Sequence, residues 1–146
     1  MNQNSVDILL VEDNVDDAEL ATRELKKHNM ANNLVHVTDG EEALAFIFGT
    51  GKYSDRSINH PPKLVLLDIK MPKLNGIEVL EQVKSDSRTK IIPVVMLTSS
   101  KEDPDVKKCY ALGANSYIVN PVNFEGFAEA IKNLGFYWLL LNQPPN

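Results

Sequence analysis

The chain has 146 residues, 43% of them hydrophobic and 24% charged, with a formal net charge of -5. That length gives one domain with room for a sizeable core, and the acidic balance excludes nucleic-acid binding through a basic surface. No apolar run reaches the ~20 residues of a membrane-spanning helix. The opening MNQNSVDILL lacks the basic start and long apolar stretch of a secretory signal.

The elements alternate along the chain. VDILLV, Val6 to Val11, is the first strand, and an amphipathic helix follows from about Val15 to His28. NLVHVT, Asn33 to Thr38, is the second strand. Asp39-Gly40 is a helix start signal for EEALAFIF, Glu41 to Phe48. The segment from Gly49 to Lys63 has no periodicity and is rich in Gly, Ser, Asn and Pro. It is longer than the ~12 residues usual for a compact connection and reads as a surface insertion. LVLLD, Leu64 to Asp68, is an unbroken apolar run ending on a carboxylate, the pattern of a strand buried on both faces. The helix from about Gly76 to Lys84 offers Ile77, Leu80 and Val83 as a core face. IPVVMLT, Ile92 to Thr98, is the fourth strand. A helix from Pro104 to Leu112 stops at Gly113, and SYIV, Ser116 to Val119, is the fifth strand. A last helix begins near Asn123, which has the chemistry of an N-cap. The single cysteine, Cys109, excludes an internal disulfide, suits a reducing compartment such as the cytoplasm and reads as a packed thiol. His28, His36 and His60 have no paired metal-ligand spacing and read as surface or loop residues.

Strand-helix pairs in this order predict a parallel sheet with right-handed crossovers and helices on both faces. The expected fold is a flavodoxin-like (βα)5 doubly wound sheet of strand order 2-1-3-4-5. It spans residues 1–146 as a single domain, with a core of about 6–134 and a C-terminal aromatic helical extension of about 134–146. Functional groups in such sheets gather beyond the carboxyl ends of the strands. There the sequence places Glu12 and Asp13 after strand 1, Asp68 at the end of strand 3, Thr98 after strand 4 and Asn120 after strand 5. With strands 1 and 3 adjacent, Glu12, Asp13 and Asp68 share one pocket. Two like charges ~4 Å apart cost about 4 kcal/mol at an effective dielectric of 20. A retained proton or a bound cation must relieve them. All-oxygen ligands with open positions suit Mg²⁺ or Mn²⁺. A carboxylate beside such an ion is a usable nucleophile toward phosphorus, which points to an aspartyl-phosphate on Asp68, with the Thr98 hydroxyl donating to a phosphoryl oxygen.

The motifs ILLVEDN, LVLLDIKMPKLNGIEVL, IPVVMLTSS and GANSYIVNPV, with their spacing, resemble the receiver domain of bacterial two-component response regulators from Val6 to about Leu134. The resemblance implies a phosphoacceptor signalling protein rather than an enzyme. Asp68 would take phosphate from a sensor histidine kinase. Glu12, Asp13, Asp68 and the Lys70 backbone carbonyl would hold Mg²⁺, and Met71-Pro72 and Gly76 would shape the loop beyond. Thr98 and the aromatic Tyr117 would form the switch. The helix-2 connection, the segment MPKLNGIEVLEQVK and the aromatic tail are similar to regulators that partner phytochrome-type histidine kinases.

One position departs from the family pattern. Asn120 stands where the family has a lysine, so the pocket lacks a fixed cation unless Lys70 or Lys101 replaces it. This puts normal output in doubt and leaves room for a degenerate receiver that binds partners without phosphorylation. A haloacid-dehalogenase phosphatase would need a second acid where Lys70 stands, and a flavodoxin phosphate loop would be repelled by VEDN. No basic helix-turn-helix or catalytic segment follows, so the expected output is protein-protein recognition. The tail LGFYWLLLNQPPN has more apolar residues than one buried stripe holds, and a homodimer through the C-terminal face is expected.

Overall fold

Leu64, Val65, Leu66 and Leu67 are all buried, and the strand they form is the centre of the molecule. The computed structural model describes residues 6–27, 33–98 and 104–119, with 125, 126 and 129. Five strands, β1 (Ile8–Val11), β2 (Leu34–Val37), β3 (Leu64–Asp68), β4 (Val94–Thr98) and β5 (Ser116–Val119), form one sheet in the order β2-β1-β3-β4-β5. Every neighbouring pair is parallel. The crossovers run through α1 (Val15–Lys27), α2 (Gly40–Phe48), α3 (Gly76–Ser85) and α4 (Pro104–Leu112). This is the doubly wound flavodoxin-like order that the alternating pattern predicts. Of the predicted last helix only residues 125, 126 and 129 are described, and they are helical; Asn123, Asn120, His28, Lys101 and the tail from residue 134 lie outside the described residues.

Alternation along the strands splits the core in two. Leu9, Val11, Val65, Leu67, Val94 and Met96 pack against α2, α3 and α4. Ile8, Leu10, Leu64, Leu66, Val95 and Leu97 pack on the α1 side with Ala18, Ala21 and Leu25. Both faces of the central strands are therefore dry, which is why they read as continuous apolar runs. Among the described residues no helix is long and apolar enough to cross a membrane.

Among the differences from the sequence reading, one strand start and one helix face have clear physical reasons. β4 starts at Val94 rather than Ile92, because Pro93 has no N–H to give a ladder. The Pro93 carbonyl still accepts from Val65 at 3.0 Å. On α3 the buried set is Gly76, Val79, Leu80 and Val83, with Ile77 at its margin. A strict three-residue step drifts off a 3.6-residue helix, and the four-residue step from Val79 to Val83 holds the core.

Close backbone contacts fix the loops at the carboxyl end of the sheet. A Cβ on Gly76 would lie 2.0 Å from the Asp68 carbonyl oxygen, so only glycine lets α3 start against the end of β3. Asn75 and Glu78 close a capping box on the same turn. A Cβ on Gly40 would lie 2.1 Å from the Leu74 carbonyl oxygen, which seats the β3–α3 loop on the start of α2. Lys73, at a positive φ of 65°, adds an ion pair to Asp39 at 3.6 Å. The long connection after α2 is also ordered. The Glu42 carboxylate accepts from the Tyr53 hydroxyl at 2.8 Å and pairs with Lys52 at 2.8 Å. The Arg56 guanidinium lies over the Phe46 ring, 3.8 Å from its centroid.

Candidate functional site

β1 and β3 are neighbours, and Val11 is in register with Leu67. One residue further, Glu12 and Asp68 leave the sheet side by side, and Asp13 follows. The carboxylates of Glu12, Asp13 and Asp68 each offer an oxygen within 4.8 Å of the others. Glu12 is buried, Asp68 half-buried and Asp13 exposed, so the cluster opens to solvent on one side. The Asn14 N–H donates to Glu12 Oε2 at 3.2 Å, and Asn14 Oδ1 accepts from the Asp17 N–H at 2.9 Å, so the acidic turn runs directly into the cap of α1.

The electrostatics are those of an unneutralised acidic pocket. Burial, a hydrogen bond with Glu12 and the Glu12 charge push the Asp68 carboxyl up to about 8, with Asp13 adding to the rise. The Lys70 N–H opposes the shift, donating to Asp68 Oδ1 at 3.3 Å. The donor set is entirely hard oxygen, and its charge calls for a cation. These residues fit a divalent ion of the Mg²⁺ or Mn²⁺ type.

The other predicted residues fall nearby. Thr98 is buried at the end of β4, one residue beyond Leu97, the register partner of Asp68. Tyr117 lies on β5 opposite Met96, half-buried against the α2–α4 core, with its ring edge-on to Tyr110 at 6.0 Å. Lys70 is exposed and meets the site through its backbone. Asn120 lies outside the described residues. Cys109 is buried in the core, as a packed thiol should be. One contact has no counterpart in the sequence reading. His36 is exposed, as expected, yet its Nε2 lies 2.7 Å from the Glu12 carbonyl oxygen. Only the pairing of β2 with β1 brings the two together, so no local motif signals it.

The fold and site define the class: a doubly wound parallel α/β domain with a carboxylate cluster at its switch point. Residues 8–132 match the family described as the response regulator receiver domain, and the chain belongs to that family. It is 37% identical over 133 residues to the response regulator Rcp1 of Synechocystis sp., covering 90% of this chain and 88% of Rcp1. Among solved structures, the bacteriophytochrome response regulator RtBRR superposes with a TM-score of 0.86 at 46% identity, covering 97% of this chain and 84% of RtBRR. The Mn²⁺-bound form of Rcp1 gives 0.74 at 34% identity, covering 97% of this chain and 99% of that one. The phosphorylated cyanobacterial phytochrome response regulator RcpA gives 0.75 at 36% identity, with the same coverage of both chains.

Proposed function

We propose that this receiver takes a phosphoryl group on Asp68 from a phosphohistidine of a phytochrome-type sensor histidine kinase. An Asp68 carboxylate oxygen attacks phosphorus, and the P–N bond of the donor breaks. Its electron pair returns to the imidazole, which takes a proton from solvent as it leaves. Glu12, Asp13, Asp68 and the Lys70 carbonyl would hold Mg²⁺ or Mn²⁺, which when bound supplies charge neutralisation at the phosphoryl oxygens. The buried Thr98 hydroxyl donates to a phosphoryl oxygen, and Tyr117 rotates inward behind it. Relay of the signal is by protein-protein contact, including a homodimer through the C-terminal segment from Leu134 to Leu141.

The convergence of the three acids within 4.8 Å carries this reading. The Mn²⁺ in the structure of the response regulator Rcp1 and the phosphorylated state of the phytochrome response regulator RcpA, both neighbours in fold, support it. Asn120, in place of the family lysine, favours a second reading, a binding module that works unphosphorylated. Acetyl phosphate and Mg²⁺ followed by intact mass separate the two. The first reading gives a gain of one phosphoryl group, lost in Asp68→Asn and in a chelator. An unmodified mass with Asp68 intact would support the second. Sedimentation of the full chain against one cut after Asn133 tests the dimer, and the same number of chains per particle before and after truncation would remove it.

A further inference from the structure

The ladder between β1 and β2 ends at Glu12, and it ends in an unusual way. Val11 is the last residue of β1 paired with β2, opposite Val37, and the Glu12 N–H still donates to the Val37 carbonyl at 3.1 Å. In a continuing parallel ladder the Glu12 carbonyl would accept from backbone further along β2. There the chain enters the start of α2: the Thr38 N–H donates to the Glu42 carboxylate, and the Asp39 carboxylate accepts from the Glu42 N–H. His36 sets a ring nitrogen on the Glu12 carbonyl, with Nε2 at 2.7 Å. A carbonyl oxygen only accepts, so Nε2 carries the hydrogen. Strand alternation turns His36 to the α1 side with Leu10, its register partner, beside Val15 and Ala18 of α1.

The carbonyl that His36 holds belongs to the peptide joining Glu12 to Asp13. A peptide is planar, so fixing its oxygen fixes the rotation of Glu12 on one side and of Asp13 on the other. We propose that His36 is a positioning residue of the metal site, holding the Glu12-Asp13 peptide from β2 so that both carboxylates face Asp68. It rests on the reading that these acids bind a divalent ion. It assigns a function to a side chain that touches no ligand atom and lies on a different strand from all three acids. Groups that orient metal ligands from behind are worth about 10–100-fold in metal affinity.

The test is Mn²⁺ binding to the full chain, followed by the electron paramagnetic resonance of free Mn²⁺, for the unmodified protein and for His36→Leu, His36→Asn and His36→Gln. Thermal midpoints of the metal-free proteins are recorded alongside. Leucine removes the donor, the asparagine amide is too short to reach Glu12, and the glutamine amide reaches about as far as Nε2. Expected are roughly tenfold weaker binding in the first two and recovery of most of the loss in His36→Gln. Should the leucine chain not fold, His36→Asn, polar at an exposed position, carries the comparison. Unmodified affinity in folded His36→Leu or His36→Asn overturns the proposal and leaves the metal site standing. Equal weakening in all three variants also overturns it, because the donor is then not what matters. Absence of Mn²⁺ binding by the unmodified chain removes the site itself, and the proposal with it.

Discussion

Replacing Asp68 with asparagine should stabilise the metal-free protein, a direction opposite to that of most substitutions at a buried strand end. The carboxylates of Glu12 and Asp13 offer oxygens within 4.8 Å of Asp68. At that separation each pair costs about 3.5 kcal/mol at an effective dielectric of 20. Asp68 is only half-buried, so solvent screening reduces the net gain to about 2 kcal/mol. For a chain of this size that is a rise of roughly 4–8 °C in the melting temperature. The pH dependence fixes the sign. The folded protein holds the Asp68 proton up to about 8, whereas the ordinary value is 3.8. Stability from this group is complete below the ordinary value and is lost as pH rises through the folded one. The melting difference between Asp68→Asn and the unmodified chain should therefore be near zero at acid pH and largest above the folded value. Scanning calorimetry in chelator across that range reads it directly, and saturating Mg²⁺ should raise the unmodified chain more than the variant. A lower melting temperature for Asp68→Asn at alkaline pH, or a difference flat in pH, would refute the reasoning.

Three further outcomes follow from the packing around the site. Gly76→Ala places a Cβ 2.0 Å from the Asp68 carbonyl oxygen and should cost about 3 kcal/mol in urea denaturation, with weaker acetyl-phosphate labelling in the folded fraction. Asn75→Ala opens the capping box of α3 and should cost about 1 kcal/mol by the same measurement. Tyr53→Phe removes the hydroxyl that donates to Glu42 at 2.8 Å, costing about 1 kcal/mol and speeding proteolysis between Gly49 and Lys63 without changing Mn²⁺ affinity.

Much of this molecule was legible because its signals are local. The run from Leu64 to Leu67 is apolar on both alternations, which only a strand covered on both faces requires, and it is buried throughout. Asp39-Gly40 and Gly113 mark a helix start and a helix stop by their own backbone chemistry, and the helices obey them. Asp68 is far in sequence from Glu12 and Asp13, but a parallel order with β1 beside β3 forces the two strand ends together. What could not be read depends on partners that periodicity does not encode. The segment after α2 reads as a featureless insertion, yet Tyr53 and Arg56 tie it to Glu42 and Phe46 across α2. His36 reads as one exposed residue of an edge strand. Its role at Glu12 depends on the register between β2 and β1 and on β2 ending at Val37.

The central claim is that Glu12, Asp13 and Asp68 share one divalent ion while an Asp68 oxygen remains open to phosphorus. A crystal structure grown with Mn²⁺ and beryllofluoride tests this most directly. The account predicts a single anomalous-scattering peak among the three carboxylates and beryllium bonded to an Asp68 oxygen, with the Thr98 hydroxyl on a fluorine. Manganese bound away from that cluster, or beryllofluoride absent from Asp68 at saturating concentration, would contradict it.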